Sequence, residues 1–199
     1  MDGEHSTIID GCYGIKENNT GKVRGFLQPL IVRGLDPISC TVDGNPQVIR
    51  LLRELWPSIK IQRCLVHIQR QGLRWCRNKP KRTDARKLAE LFATVVTIDT
   101  KERRDDFLNK VKQWENRYGQ AVAGPTGGWV ASDLRAARSM LLKALPDMFY
   151  YLDDPGILTS TNALEGYFSR LKAKYRNHRG LKEQKRFDYF KWYFQMSPK

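Results

Sequence analysis

Apolar and polar positions in the first 80 residues alternate between the period of strands and the period of helices. Short runs of β-branched residues predict strands, and apolar residues spaced three or four apart predict helices. The predicted elements are, in order, a strand at residues 7–14, a helix at 22–33, a strand at 38–42, a helix at 46–56, a strand at 59–64 and a helix at 65–77. Strands and helices that alternate at these lengths predict βαβ units with parallel strand pairing.

The pattern becomes helical throughout between about residues 84 and 151. Apolar residues there form stripes at helical spacing, and the clearest loop is at residues 124–128, which are rich in glycine. A last long helix is predicted from Thr161 or Asn162 to Tyr175. The order predicts an α/β unit at residues 1–80, a helical insertion at 81–158, and a core helix with a basic carboxyl-terminal tail at 159–199.

The net charge is the unusual feature of the composition. The chain has 35 Lys and Arg against 21 Asp and Glu, a formal charge of +14, and its apolar fraction of 41% is sufficient for a packed core. Such an excess favours a polyanionic partner, because each phosphate that is neutralised releases a counterion. Ribosomal and membrane-surface proteins share this property. The sequence contains no run of apolar residues long enough to cross a membrane, which excludes a membrane-spanning class.

Four cysteines are scattered along the chain, and this spacing does not predict a disulfide framework. We expect reduced thiols in a cytoplasmic protein. Cys64 and His67 have the C-x-x-H spacing of half a zinc site, but Cys76 and His178 are isolated and supply no second pair. A packed cysteine beside a polar histidine is therefore the default interpretation, with a zinc-dependent nucleic-acid module as a distant alternative.

Asp43 lies at the carboxyl end of a predicted strand, directly before a Gly-Asn-Pro turn. Open α/β sheets bind ligands at this end of their strands, so the carboxylate is a candidate site residue. Aspartate is equally common as the cap of a helix, and Asp43 could serve only to cap the helix that begins at Pro46. The local pattern leaves both interpretations open.

Glu165 lies in the first turn of the last predicted helix, on a face with Ser169, Lys172 and Arg176 and away from the apolar stripe. A glutamate at the head of a basic face suits a metal-bound site beside a phosphodiester. The alternative is a capping box, in which Asn162 and Glu165 each accept the other's backbone N–H.

Basic residues cluster in two stretches that differ from ordinary solvated faces, because charges on such faces usually alternate in sign. Residues 55–83 contain eight Lys and Arg and no acidic residue, and residues 166–199 contain ten against two. Contact with DNA phosphates is the better interpretation of both. The residues assigned to DNA contact are Arg63, Arg70, Arg74, Arg77, Asn162, Arg170, Lys172, Lys174 and Arg176.

Three motifs in order resemble the bacterial insertion-sequence transposases that are related to the eukaryotic Mutator elements. The first is the Asp43-Gly44 turn, followed by Trp56-Pro57 at the end of the next helix. The second is the run Gln62-Arg63-Cys64-Leu65-Val66-His67. The third is T-N-x-x-E-x-x-x-x-x-L-K, which begins at Thr161, and the segments 178–181 and 189–194 also look like the carboxyl end of some members.

The resemblance implies a ribonuclease H-like core, amino-terminally incomplete here and interrupted by an all-helical insertion. It implies that Asp43 and Glu165 are the second and third acidic residues of a DDE triad that binds two Mg²⁺ or Mn²⁺ ions. It implies that Cys64 and His67 are the family's C-x-x-H motif near the active site. The partners implied are DNA, as element ends and as target, and further copies of the enzyme in a homo-oligomer.

The first acidic residue of the triad is the point at which the chain departs from the family pattern. Asp10 is the one candidate, and it lies 33 positions before Asp43, which is short for the family. We expect Asp10 on the third strand of the core and the true first aspartate outside the chain, so that this chain alone is inactive. The alternative is a non-catalytic DNA-binding derivative of a transposase, either an inhibitor or a domesticated protein.

Overall fold

The computed structural model describes residues 1–196 with the exception of residues 4, 6, 78, 125–127 and 179. Most of the described chain is helical. The elements are α1 (Thr20–Val32), β1 (Ser39–Val42), α2 (Pro46–Leu55), β2 (Lys60–Arg63), α3 (Leu65–Cys76), α4 (Thr83–Thr94), α5 (Lys101–Trp114), α6 (Gln120–Ala123), α7 (Trp129–Ala144), α8 (Asn162–Tyr175) and α9 (Glu183–Met196). Most of the predicted loop at 124–128 and Arg179 of the terminal motif lie outside the described residues.

The chain folds into two compact units, and the second is inserted into the first. Unit 1 comprises residues 1–61 and 156–199, and unit 2 comprises residues 62–155. The sequence pattern predicts the first domain boundary after residue 80, whereas in the structure α3 already belongs to unit 2. No helix in the described part of the chain is long and apolar enough to span a membrane.

The strand pair β1–β2 confirms the predicted parallel pairing, with α2 as the connection between the strands. Asn45 caps α2, because its side chain accepts the N–H groups of Gln47 and Val48, and Pro46 occupies the first turn, where a missing N–H costs nothing. Trp56 follows α2 and packs with Ile49 and Ile61 in the core of this βαβ segment. These two short strands form the sheet of the described residues, and most of the other described residues are helical.

The strand predicted at residues 7–14 does not form, and with it the position of Asp10 on a third strand was wrong. A strand requires a neighbour that pairs with its backbone groups. Here Oδ1 of Asp10 accepts the N–H of Gly11 at 2.7 Å instead. Tyr13 then stacks on Phe190 of α9 with ring centroids 4.3 Å apart, so the segment is held by ring packing.

Aromatic side chains join α8 to α9 within unit 1. Tyr167 of α8 packs on Phe194 with centroids 6.4 Å apart, and Tyr175 packs on Phe190 with centroids 5.0 Å apart. The aromatic residues among the basic ones of the carboxyl-terminal stretch therefore pack mainly against one another. They fix α8, which carries Glu165, against a second helix.

The core of unit 2 is formed where α3, α4 and α7 pack together. Phe92 of α4 is fully buried and lies against Gly72 of α3. A Cβ at position 72 would overlap the Phe92 ring, so the absence of a side chain at Gly72 allows the two helices to approach closely. Leu134 and Leu141 of α7 complete the core, with 2% exposure each.

Asp84 stabilises the first turn of α4 from a buried position. Its carboxylate accepts two hydrogen bonds from Arg82, at 3.0 and 2.6 Å, and the N–H of Ala85 at 2.8 Å. The hydrogen bonds from Arg82 lower the pKa of Asp84 below its ordinary value, and they outweigh burial, which raises it. The folded protein therefore stabilises the ionised carboxylate of Asp84 relative to the unfolded chain.

We expect acidification to remove this contribution of Asp84. A lowered carboxyl pKa contributes stability that is complete above the unfolded pKa, near 3.8, and that is lost as pH falls through the folded value. Asp84→Asn should cost about 1–2 kcal/mol near neutral pH. Urea titrations of both proteins at several pH values measure their free energies of unfolding, and the difference between the two should shrink below about pH 4. If that difference stayed constant down to about pH 2, the stabilising role of the charged Asp84 carboxylate would be contradicted.

Candidate functional site

Asp43 follows the last residue of β1 and is exposed. Gly44 has a φ of 112°, which a side chain would disfavour, and this conformation turns the backbone sharply after the strand. Oδ1 of Asp43 accepts the N–H of Asn45 at 3.3 Å across that turn. Because Asn45 is the cap of α2, the alternative in which Asp43 serves as the helix cap is not the arrangement found.

Glu165 lies in the first turn of α8 and is exposed. The helix begins at Asn162 with Thr161 at the N-cap position, so the predicted capping box between Asn162 and Glu165 does not form. Oε1 of Glu165 accepts a hydrogen bond from Oγ1 of Thr161 at 3.2 Å. This contact orients the carboxylate, and it was not foreseen from the sequence, although the T-N-x-x-E spacing contains it.

Both carboxylates belong to unit 1, and one hydrogen bond connects the segments that carry them. Oγ1 of Thr41 in β1 donates to the carbonyl oxygen of Leu158, which precedes α8, at 2.6 Å. A further acidic residue, Glu17, accepts a long hydrogen bond of 3.4 Å from Nδ2 of Asn45. No local pattern signals Glu17, because its approach to the Asp43 turn depends on how the loop before α1 folds.

The ligand set that these residues could offer to a metal ion is incomplete. Asp43 and Glu165 present carboxylate oxygens, which are the ligands that Mg²⁺ and Mn²⁺ prefer. Among the residues that the structure describes, no three His, Cys, Asp or Glu side chains are grouped so as to hold one ion. The structure therefore offers Asp43 and Glu165 as candidate oxygen ligands within unit 1, and its described residues contain no complete metal site.

Asp10, the candidate for the first acidic residue, forms an ion pair with Arg33. Oδ2 of Asp10 lies 2.9 Å from the guanidinium of Arg33, and Oδ1 accepts the adjacent Gly11 N–H. Its carboxylate is therefore engaged by a cation at the end of α1.

Cys64 and His67 contact each other at the start of α3 in unit 2. Nδ1 of His67 lies 3.2 Å from Sγ of Cys64, and Cys64 is fully buried at the N-cap position of the helix. The C-x-x-H spacing thus places the two groups on the first turn of one helix. All four cysteines are free thiols, and burial, with a smaller contribution from Asp84, raises the pKa of Cys76 to about 12.

The residues assigned to DNA contact differ in accessibility. The exposed ones are Arg70 and Arg74 of α3 and, on α8, Asn162, Arg170, Lys172 and Lys174, with Arg176 directly after the helix. Arg63 is only 6% exposed, so it presents little surface to a ligand in this structure. Arg77 is bound to Asp133 at 3.0 Å and lies 3.8 Å above the ring of Trp129. Their roles in DNA contact remain predictions.

A family model described as "Transposase, Mutator family" matches residues 2–181. The match includes β1 with Asp43, the C-x-x-H pair and the whole of α8 with Glu165. Comparison with curated proteins and with solved structures gives no match.

Proposed function

This chain belongs to the Mutator family of transposases, and we propose that it serves metal-dependent cleavage and strand transfer of DNA in a bacterial insertion sequence. The observation that carries the proposal is the position of two exposed carboxylates within unit 1. Asp43 follows a parallel strand and Glu165 begins the helix α8, and each is held by a hydrogen bond from its own segment. Asp43 is the second and Glu165 the third acidic residue of the triad in this proposal.

The roles of the residues follow from their chemistry. Asp43 and Glu165 act as hard oxygen ligands, and Thr161 fixes the rotamer of Glu165 through its hydroxyl. Two bound Mg²⁺ ions would supply the activation of a water or 3′-hydroxyl and the stabilisation of the leaving oxygen. The triad requires a third carboxylate, and with two of them we propose that these 199 residues bind metal weakly and do not cut DNA alone.

The fold assignment is part of the same proposal. The segment β1–α2–β2 and helix α8 represent part of a ribonuclease H-like core, and the helices of residues 62–155 represent the family's insertion. The division of the chain into a discontinuous unit and an inserted helical unit supports this. Cys64 and His67 are the C-x-x-H motif of that family, and a homo-oligomer is the proposed working state.

DNA is the proposed partner, and the exposed surface of α8 is the feature that best supports this proposal. This helix carries Glu165 in its first turn and exposed Arg170, Lys172 and Lys174 in the following turns. Contacts from such side chains to phosphates position a duplex but do not read its sequence. Helix α8 would therefore hold the DNA backbone beside the carboxylate, and recognition of the element ends would need other contacts.

A second candidate function is a non-catalytic DNA-binding derivative of a transposase. It is favoured by one observation, that no three potential metal ligands are grouped together among the described residues. Such a protein would need the exposed basic residues of α8 and would be indifferent to the loss of Glu165.

We expect Lys172→Gln with Arg176→Gln to weaken binding of the chain to duplex DNA and to flatten its salt dependence. Loss of two phosphate contacts should lower the slope of log K against log salt by about 1.8. Fluorescence anisotropy between about 50 and 200 mM salt measures the slope. Lys16→Gln with Lys22→Gln removes the same charge from other exposed positions of unit 1. Equal losses in the two double variants would show that net charge alone acts, and would overturn the assignment of α8.

A further inference from the structure

A groove of about 510 Å³ lies between α4 and α5 in unit 2, and neither Asp43 nor Glu165 lines it. Leu91 and Trp114 line it with 7% and 5% exposure, so they form its floor. Tyr118 is half-buried and packs on Trp114, with ring centroids 5.9 Å apart. The remaining lining residues are polar or charged, namely Lys87, Glu90, Thr94, Lys110, Gln113 and Arg117.

The rim of the groove is mainly cationic. Lys110 and Arg117 lie on the α5 side, and Lys87 lies on the α4 side with Glu90, whose carboxylate it contacts at 2.8 Å. Lys110 is more than half exposed, and its partner Asp106, at 2.6 Å, does not line the groove. Within the described part of the chain, Arg117 contacts the ring of Tyr118 at 5.3 Å and forms no ion pair. Three cations and one carboxylate give the groove a positive potential.

A π-helical turn places the residues at one end of this groove. Residues Glu115–Gly119 continue α5 with π geometry, a distortion that occurs frequently at functional sites. An ion pair holds this turn in place, because the carboxylate of Glu115 binds the guanidinium of Arg138 through both oxygens. Gly119 is buried, and a Cβ there would overlap that carboxylate. Arg117 and Tyr118 thus project from a turn that ion pairing and close packing hold in place.

We propose that this groove binds an unpaired stretch of DNA, with phosphates on Lys110 and Arg117 and a base against Tyr118. Cationic side chains beside an aromatic ring are the combination by which proteins hold single strands, since every base offers a flat face for stacking. The bases of a duplex are already stacked and paired, so their faces cannot reach Tyr118 or the floor. The inference deepens the proposed transposase function and rests on it, since cleavage of a DNA strand frees an end whose nucleotides can unpair.

The first test removes the rim charges. Lys110→Gln with Arg117→Gln should weaken binding of a labelled single strand by the full chain about tenfold and lower the salt slope by about 1.4. Arg103→Gln with Lys112→Gln removes equal charge from exposed positions of the same helix that do not line the groove. Matched melting curves by circular dichroism establish that both variants fold. Equal effects of the two double variants would overturn the proposal.

The second test separates stacking from charge. Tyr118→Leu should weaken single-strand binding roughly fivefold to tenfold and leave the salt slope unchanged, because stacking releases no counterion. Binding of a hairpin duplex of the same sequence should change less than twofold by anisotropy, on the order of measurement error. Equal loss for strand and duplex would overturn the stacking role. Equal effects of this kind would overturn the groove proposal and leave the proposed function standing, whereas absence of all DNA binding by the unaltered chain would contradict the proposed function itself.

Discussion

Glu165→Gln should lower DNA cleavage about 1000-fold or more in any active transposase that contains this chain. The amide keeps the shape of the side chain but removes the charge that would hold a metal ion, and a neutral oxygen is a much weaker ligand for a hard cation. The position of Glu165 at the exposed start of α8 makes a structural cost small. Cleavage of a labelled element end in Mg²⁺ measures the effect, and binding of that DNA should be retained.

Controls for this prediction distinguish a metal ligand from a general charge effect. Asp43→Asn should give the same loss, and the double variant should be no worse than either single variant, because the residues act as a unit. Glu183→Gln makes the same charge change at the exposed start of α9 and should leave cleavage unchanged. The 199-residue chain by itself should give no Mg²⁺-dependent nicking of duplex DNA. Retained cleavage by Glu165→Gln would contradict the assignment, and nicking by the chain alone would show that two carboxylates suffice.

Gly72→Ala should be the most destabilising small substitution in unit 2. The new methyl group would overlap the ring of Phe92, which is fully buried between α3 and α4 and cannot move aside without disturbing the core. Overpacking of this kind costs about 2–3 kcal/mol, which corresponds to a Tm lower by roughly 10–20 °C for a unit of this size. Thermal unfolding followed by circular dichroism measures the change.

Gly25→Ala is the matched control for this substitution. Gly25 also lies inside a helix, α1, but a Cβ there meets nothing within 4 Å. The helix should gain about 0.5–1 kcal/mol, because alanine loses less conformational freedom on folding than glycine. Phe92→Leu combined with Gly72→Ala should recover part of the loss, since the smaller side chain relieves the overlap. An unchanged Tm for Gly72→Ala would show that the helices separate without cost.

The helices that the sequence predicted well are those with strong local end signals. Helix α2 begins at Pro46 after an Asn45 cap, and α8 begins at Asn162, as the Thr-Asn pattern predicted. Each of these ends depends on residues within four positions of one another, so the signal is local. The positions of Asp43 directly after β1 and of Glu165 in the first turn of α8 were predicted from the same kind of local signal.

The strand predicted at residues 7–14 failed because a strand depends on a distant partner. Its β-branched pattern is the same whether or not a neighbouring strand exists, and here Tyr13 packs on Phe190, far along the chain. The groove between α4 and α5 was missed for a related reason. Lys110 and Tyr118 look like a solvated charge and a core aromatic in the sequence, and only the packing of two helices brings them to one surface.

The sequence by itself therefore determined the parallel βαβ segment, the bounds of α1, α2, α3 and α8 to within two residues, the excess of positive charge and the motifs of the Mutator family. These depend on spacing within a few residues or on composition, which are independent of how the elements pack. The tertiary structure alone decided that Arg77 is bound to Asp133 and that Arg63 is buried. Accessibility and side-chain partners are properties of packing, because a charged residue has the same local pattern in a core, in an ion pair and on a binding face.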